Sequence, residues 1–222
     1  MLIKDNTSFE HDSAIKHVTG KATYTDDITE PKNLLHAAIG YSKISSGEII
    51  KIDFSEVKNS KGVIDIITDR DIEGINDVGP VFKGDPIFTS KKIRYHGQPI
   101  FAVAATSYKL AKKAASKIKI EFKETKPILD IQEALKKKSF VHDPQYLKKG
   151  DAIKIIKKSK HVLRGELYSG GQDHFYLEGQ IAMTIPQEDN NFLIYSSTQH
   201  PSETQQIVSK VLNQKFNINW TW

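Results

Sequence analysis

Residues Pro99-Ile100-Phe101-Ala102-Val103-Ala104-Ala105, then Thr106-Ser107, then a run carrying Leu110, Ala111, Ala114 and Ala115, decide the fold class. The first seven are apolar with β-branched members and predict a buried strand. Thr106 or Ser107 offers a hydroxyl to cap a helix from Tyr108 to about Lys117, with those four apolar residues on one face. Ile118, Ile120 and Phe122 then alternate with charged residues, as a half-buried strand does. Strand, capped helix and strand in immediate succession predict an α/β (α+β) fold.

The pattern extends upstream. Leu34 to Tyr41 is apolar with little alternation and predicts a strand buried on both faces. Ile50, Ile52 and Phe54 alternate with Lys51 and Asp53, Ser55 is placed to cap a short helix through Asn59, and Val63 to Ile67 is a third strand. Residues 69–90 are rich in Asp, Gly and Pro and predict a long surface loop, with a short strand at Ile93 to His96 after it. Before all this, His17 to Ile28 holds Thr-Gly and Asp-Asp pairs that suggest turns around a short extended piece.

Downstream, Asp130-Ile131-Gln132-Glu133 has the form of a capping box. The polar stretch 139–150 breaks the pattern, and Asp151 caps another basic helical turn. His161 to Tyr168, Gln180 to Pro186 and Phe192 to Ser197 predict three strands. Pro201 suits a first helical turn, and Ile207, Val208, Val211 and Leu212 make the apolar stripe of the helix that follows. Of these, Val208, Val211 and Leu212, with Phe216, are expected to present an unusually exposed apolar face. The expected domains are residues 11–127, a linker over 128–150, and a second, incomplete domain over 151–222.

Composition narrows the function. The chain has 222 residues, 38% hydrophobic and 27% charged, a balance that excludes a disordered chain. No apolar run approaches the roughly 20 residues of a membrane helix, so the expected compartment is the cytoplasm and no membrane partner is expected. With no cysteine, the chain can hold neither disulfides nor iron–sulfur clusters nor a cysteine-based zinc site. The charge of +5 comes mostly from lysine runs such as Lys136-Lys137-Lys138. Arginine is scarce and aromatics are not interleaved with the lysines, so a solvated surface is favoured over nucleic-acid binding. Nucleotide-binding glycine loops and a Gly-x-Ser-x-Gly elbow are absent.

Two polar stretches remain. One is Gly170-Gly171-Gln172-Asp173-His174-Phe175-Tyr176-Leu177-Glu178-Gly179-Gln180; the other is Ser196-Ser197-Thr198-Gln199-His200-Pro201-Ser202-Glu203. A glycine pair gives the backbone unusual freedom to aim the polar groups after it. The second stretch sits between a strand and a helix, where α/β proteins tend to hold ligands. His174 and Glu178 are four apart, but Phe175-Tyr176-Leu177 between them predicts extended structure, which would hold them about 13 Å apart. A metal pair is therefore disfavoured, and local backbone or helix-end hydrogen bonds are the preferred roles. Gln199 offers an uncharged donor and acceptor; alternatively it is a turn residue bonding the backbone ahead of Pro201.

Both stretches resemble the molybdenum-binding subunit of the xanthine dehydrogenase/aldehyde oxidase family, molybdenum hydroxylases that read Gly-Gly-Gln-Glu-His-Phe-Tyr-Leu-Glu and then Ser-Thr-Gln. Leu-Glu-Gly-Gln and Gln-His-Pro-Ser-Glu look like its bacterial members, and Thr19-Gly20-x-Ala22-x-Tyr24-x-x-Asp27 is similar to its opening motif. Asp173 stands where the family has Glu, so no role is carried to it. The resemblance implies an a/b hammerhead domain followed by the start of a molybdopterin-binding domain. It implies that Gln199 bonds the oxo ligand of molybdenum, and that Gly171, Gln172, His174, Phe175, Glu178 and Thr198 wall the cofactor site. It further implies iron–sulfur and FAD modules on a partner subunit, a purine such as hypoxanthine or xanthine as substrate, and a role in purine metabolism.

The family continues into Gly-Gly-Gly-Phe-Gly-Gly-Lys-Glu and, later, a glutamate general base, whereas this sequence ends Trp220-Thr221-Trp222. The expectation is an N-terminal fragment with no catalytic residue or metal ligand of its own, inactive without the C-terminal part of the subunit. A non-catalytic interaction module, a remnant of a split gene, or a related aldehyde or heterocycle oxidase stay open beside it.

Overall fold

A computed structural model describes residues 11–176, 178–214 and the backbone of 218–220. They fall into two compact units: residues up to Lys126 together with those from 178 onward, and Pro127–Tyr176. The first unit begins with helix α1 (Ala14–Val18) and a 3-10 turn at Thr25–Asp27. Strands β1 (His36–Tyr41) and β2 (Gly47–Asp53), helix α2 (Ser55–Lys58) and strand β3 (Val63–Ile67) follow. Strands β4 (Lys92–Ile93) and β5 (Pro99–Ala105), helix α3 (Tyr108–Ala115) and strand β6 (Lys119–Glu124) complete its first part. The order β1-β5-β3 makes one antiparallel sheet and β4-β2-β6 another. The mixed α/β class predicted from residues 99–122 is the one observed.

The core lies between these sheets and α3. Phe101, Val103, Ile93 and Val57 are fully buried and pack with Ile49, Ile100 and Ala114. Each such side chain taken from water stabilises by about 1.5–3 kcal/mol. Ser107 caps α3 by accepting the Leu110 N–H, and Ala111, Ala114 and Ala115 face inward as the spacing predicts. Two polar side chains sit in this core with their bonds made. The Ser42 hydroxyl donates to the Ile44 carbonyl, and the Gln98 side-chain oxygen accepts the Arg94 N–H.

Several local expectations are corrected. Strand β1 is not buried on both faces: Ala38 and Gly40 point inward, while Ala37, Ile39 and Tyr41 are exposed, because only one of its faces is covered. In β2 the register shifts between Ile49 and Lys51, which places Ile50 at a bulge and exposes it while Ile49 is buried. The start of α2 is capped by Asp53, whose carboxylate accepts the Ser55 N–H, and not by Ser55. His17 and Val18 lie in α1, which ends at Val18, with Thr19 as its C-cap and Gly20 after it at φ 68°.

Residues 69–90 form an irregular segment, as predicted, but side chains pin it. The Asn76 amide both donates to and accepts from the Phe88 backbone, and Phe88 and Thr89 are buried. Asp77 accepts the N–H groups of Gly79 and Gly84 at 2.8 and 2.7 Å. Those two bonds, Gly79 first, hold the Asp77 carboxyl below its ordinary pKa. A depressed carboxylate contributes stability above its unfolded pKa and loses it as pH falls through the folded value. The 77–85 segment is therefore expected to stay protected from amide exchange at neutral pH and to open only below the ordinary carboxylate range. Asp77→Asn should open it at neutral pH; equal protection in both proteins would refute this.

The first unit resumes with β7 (Ala182–Pro186), β8 (Phe192–Ser196), α6 (Pro201–Val211) and β9 (Ile218–Trp220), numbered after the two helices of the second unit. Strand β8 pairs antiparallel with β7 and parallel with β9. Val208, Val211 and Leu212 are half-buried, not uncovered; Phe216 lies outside the described residues. At the end of α6, Gly74 and Ile75 donate their N–H groups to the carbonyls of Val211 and Lys210 at 2.9 and 3.0 Å. The first satisfies a helix-end acceptor, and the second adds to the Asn213 N–H that the Lys210 carbonyl also accepts at 3.4 Å.

In the second unit, Asp130 caps α4 (Ile131–Lys136) and Asp151 caps α5 (Ala152–Lys158). The strand predicted at His161 to Tyr168 does not form: these residues are irregular and exposed. An isolated strand gains no ladder hydrogen bonds to offset its ordering.

Candidate functional site

The junction between β8 and α6 is built from its side chains outward. Ser197 is held to Ile181, just before β7, in both directions. The Ser197 N–H donates to the Ile181 carbonyl at 3.1 Å, and the Ile181 N–H donates to the Ser197 hydroxyl oxygen at 3.1 Å. Thr198 accepts the His200 N–H on its hydroxyl at 3.1 Å and meets the Thr204 hydroxyl at 3.2 Å. The turn residue that bonds the backbone ahead of Pro201 is thus Thr198, not Gln199. The side chain of Gln199 is exposed and has no hydrogen-bond partner among the described residues. Pro201 occupies the first turn of α6, where its missing N–H costs nothing.

Glu178 is half-buried. Its carboxylate accepts the Thr25 N–H at 3.2 Å, at the start of the 3-10 turn Thr25–Asp27. It therefore caps a helix end, the role favoured over metal ligation from its spacing. Groups of three or more acidic or histidine side chains able to hold a metal are absent among the described residues.

Gly171, Gln172, His174 and Phe175 belong to the second unit, and all four are exposed. The extended structure predicted through Phe175 is replaced by a turn. Asp173 accepts the Phe175 N–H at 3.1 Å, and Phe175 takes φ 50°. A Cβ on Gly170 or Gly171 would meet nothing within 4 Å, so no described neighbour requires glycine at either place. Thr198, Gln199 and Glu178 all lie in the first unit.

Sequence reasoning missed two features, the Ser197–Ile181 clasp and the Glu178–Thr25 bond. The second joins residues 153 positions apart, and a single sequence carries no signal for such a pair.

The first unit is thus a mixed α/β fold of three small sheets, in which the strand–turn–helix junction presents an exposed amide with no partner among the described residues. The family description "Aldehyde oxidase and xanthine dehydrogenase, a/b hammerhead domain" matches residues 19–126, and "Molybdopterin cofactor-binding domain" matches residues 133–218. The chain belongs to the xanthine dehydrogenase/aldehyde oxidase family. It is 38% identical over 206 residues to a xanthine dehydrogenase of Calliphora vicina, and 39% over 207 residues to xanthine dehydrogenase 1 of Arabidopsis thaliana. Each alignment covers 91% of this chain and 15% of the relative. The chain thus spans about a seventh of the length of these relatives. Its fold is similar to the aldehyde oxidoreductase of Desulfovibrio desulfuricans, with TM-score 0.81, 24% identity, and coverage of 94% of this chain and 26% of the other. Quinoline 2-oxidoreductase of Pseudomonas putida 86 gives TM-score 0.79 at 21% identity, covering 96% of this chain and 29% of the other.

Proposed function

We propose that the chain supplies the first part of the molybdenum-bearing portion of a hydroxylase acting on a purine such as hypoxanthine or xanthine, with Gln199 facing the cofactor. The observation that carries this reading is the Gln199 amide, exposed and without a partner among the described residues, next to Ser197 and Thr198, whose hydroxyls are bonded. A neutral amide suits an oxo ligand, because it donates a hydrogen bond without adding a charge that would shift that group's protonation. The donor set therefore fits one edge of a molybdenum cofactor. When bound, that cofactor supplies transfer of a water-derived oxygen to a ring carbon and takes up the released electron pair. This chain's share is orientation: Thr198 fixes the turn and Gln199 holds the ligand.

Gly171, Gln172, His174, Phe175, Glu178 and Thr198 are proposed as wall residues of the cofactor site. Residues 11–127 are proposed as the hammerhead domain, 128–150 as a linker and 151–222 as the beginning of the cofactor domain. Electrons would leave through iron–sulfur and flavin modules elsewhere, since this chain has no cysteine. The general base would come from the rest of the subunit, and the whole is proposed to work in the cytoplasm. An aldehyde or another heterocycle is the alternative substrate.

A second reading, a docking module without cofactor, is favoured by one observation: Leu163, Leu167, Tyr168 and Phe175 are almost fully exposed in the second unit. The 222-residue chain purified by itself from a cofactor-producing host is expected to carry no stoichiometric molybdenum. One neutral hydrogen bond contributes about 0.5–1.5 kcal/mol, against about 4–15 kcal/mol for immobilising a ligand. Joined to the remainder of a molybdenum subunit, it should gain molybdenum, and Gln199→Ala should then lower turnover more than metal content. Stoichiometric molybdenum on the isolated chain would overturn the expectation of inactivity. No molybdenum in the joined protein would favour the docking module.

A further inference from the structure

We infer that Glu178 is a positioning residue for Gln199, acting through Ile181 and Ser197; the inference rests on the reading of Gln199 as the cofactor-facing group. Three contacts in the first unit form one line. The Glu178 carboxylate accepts the Thr25 N–H, which anchors the start of the segment to the opening motif. Three residues on, Ile181 exchanges hydrogen bonds with both the backbone and the hydroxyl of Ser197. Ser197 adjoins Thr198, whose hydroxyl sets the turn by accepting the His200 N–H and meeting Thr204. Gln199 stands between those two bonded residues with its own side chain unbonded among the described residues.

The geometry needs each link. Gly179 and Gln180 are exposed, and a Cβ on Gly179 would meet nothing within 4 Å. Glu178 on one side and the Ile181–Ser197 clasp on the other bond the two ends of this connection. A free amide is useful for orienting a ligand only if its backbone stays put, since a displacement near 1 Å is enough to lose a productive geometry. Glu178 supplies that constraint from a residue 153 positions away in sequence, Thr25.

The test uses the isotope-labelled 222-residue chain, with the Gln199 side-chain amide resonance assigned by its loss in Gln199→Ala. Glu178→Ala is expected to speed amide exchange at Thr25, Ile181 and Ser197 by about two- to tenfold, the range for one lost hydrogen bond. It should also shift the Gln199 side-chain resonance while leaving the β5 amides unchanged. Glu178→Gln keeps a side-chain oxygen acceptor and should restore all three rates and the shift. Ser197→Ala should move the Gln199 resonance with no change at Thr25. If Glu178→Ala unfolds the chain, Glu178→Asp, one methylene too short to reach Thr25, decides the same question. The inference is overturned if the Glu178 variants alter Thr25 alone and leave Ser197 and Gln199 as in the parent. That result is independent of molybdenum content, which tests the proposed function separately.

Discussion

Phe101→Ala is expected to destabilise the first unit by about 3–5 kcal/mol, the cost of emptying a buried aromatic site. Phe101 is fully buried at the centre of β5 and meets Phe54 edge to face, with ring centroids 5.2 Å apart and planes at 83°. On the neighbouring strand its register partner is Gly40. A Cβ at Gly40 would overlap the Phe101 ring, so glycine there makes room for the aromatic side chain. Gly40→Ala in the parent should thus cost about 1–3 kcal/mol by overpacking. In the Phe101→Ala background the same change should cost much less, because the added methyl group enters the vacated space. Denaturant unfolding of the two single variants and the double variant measures the coupling. Additive losses would mean that the ring and the glycine do not share this space.

Gly74→Ala is expected to cost about 2–4 kcal/mol, from overpacking together with two weakened backbone bonds. The added Cβ would collide with the Lys210 carbonyl and crowd the backbone of Val211 and Asn213 at 2.8 and 2.9 Å. All three obstacles are backbone, which cannot swing aside as a side chain can. The N–H groups of Gly74 and Ile75 would then leave the last carbonyls of α6. The observable is faster amide exchange at Gly74 and Ile75 and in residues 208–214, with β5 unaffected. Gly165→Ala is the control, because a Cβ there meets nothing within 4 Å and surface changes of this kind fall within about 0.5 kcal/mol. A Gly74→Ala protein as stable as that control would refute the role given to the 69–90 segment.

Both predictions depend on pairings between distant parts of the chain, and this marks where sequence reading stops. Local pattern was sufficient for β5, α3 and β6, because burial period, Ser107 and the alanine face agree in one short stretch. It was sufficient for Asp130 and Asp151 as caps, since a cap bonds a backbone group three residues away. Local pattern failed at β1, where apolar composition does not reveal that only one face of the strand will be covered. It failed at Ile50, where a bulge shifts the alternation, and at His161 to Tyr168, where no neighbouring strand completes a ladder.

The junction divides in the same way. The sequence by itself determined that a polar turn would follow Phe192 to Ser196 and precede a proline-initiated helix, and that this chain could hold no iron–sulfur cluster. Its motifs also carried the family resemblance. Only the tertiary structure decided that Thr198 ties the turn and leaves Gln199 free, that Asp173 folds Phe175 into a turn, and that Glu178 caps Thr25. The reason is physical. Caps and alternation arise from interactions within a few residues, which a single sequence records. Which hydroxyl, amide or carboxylate is consumed by a bond depends on neighbours brought close only by folding.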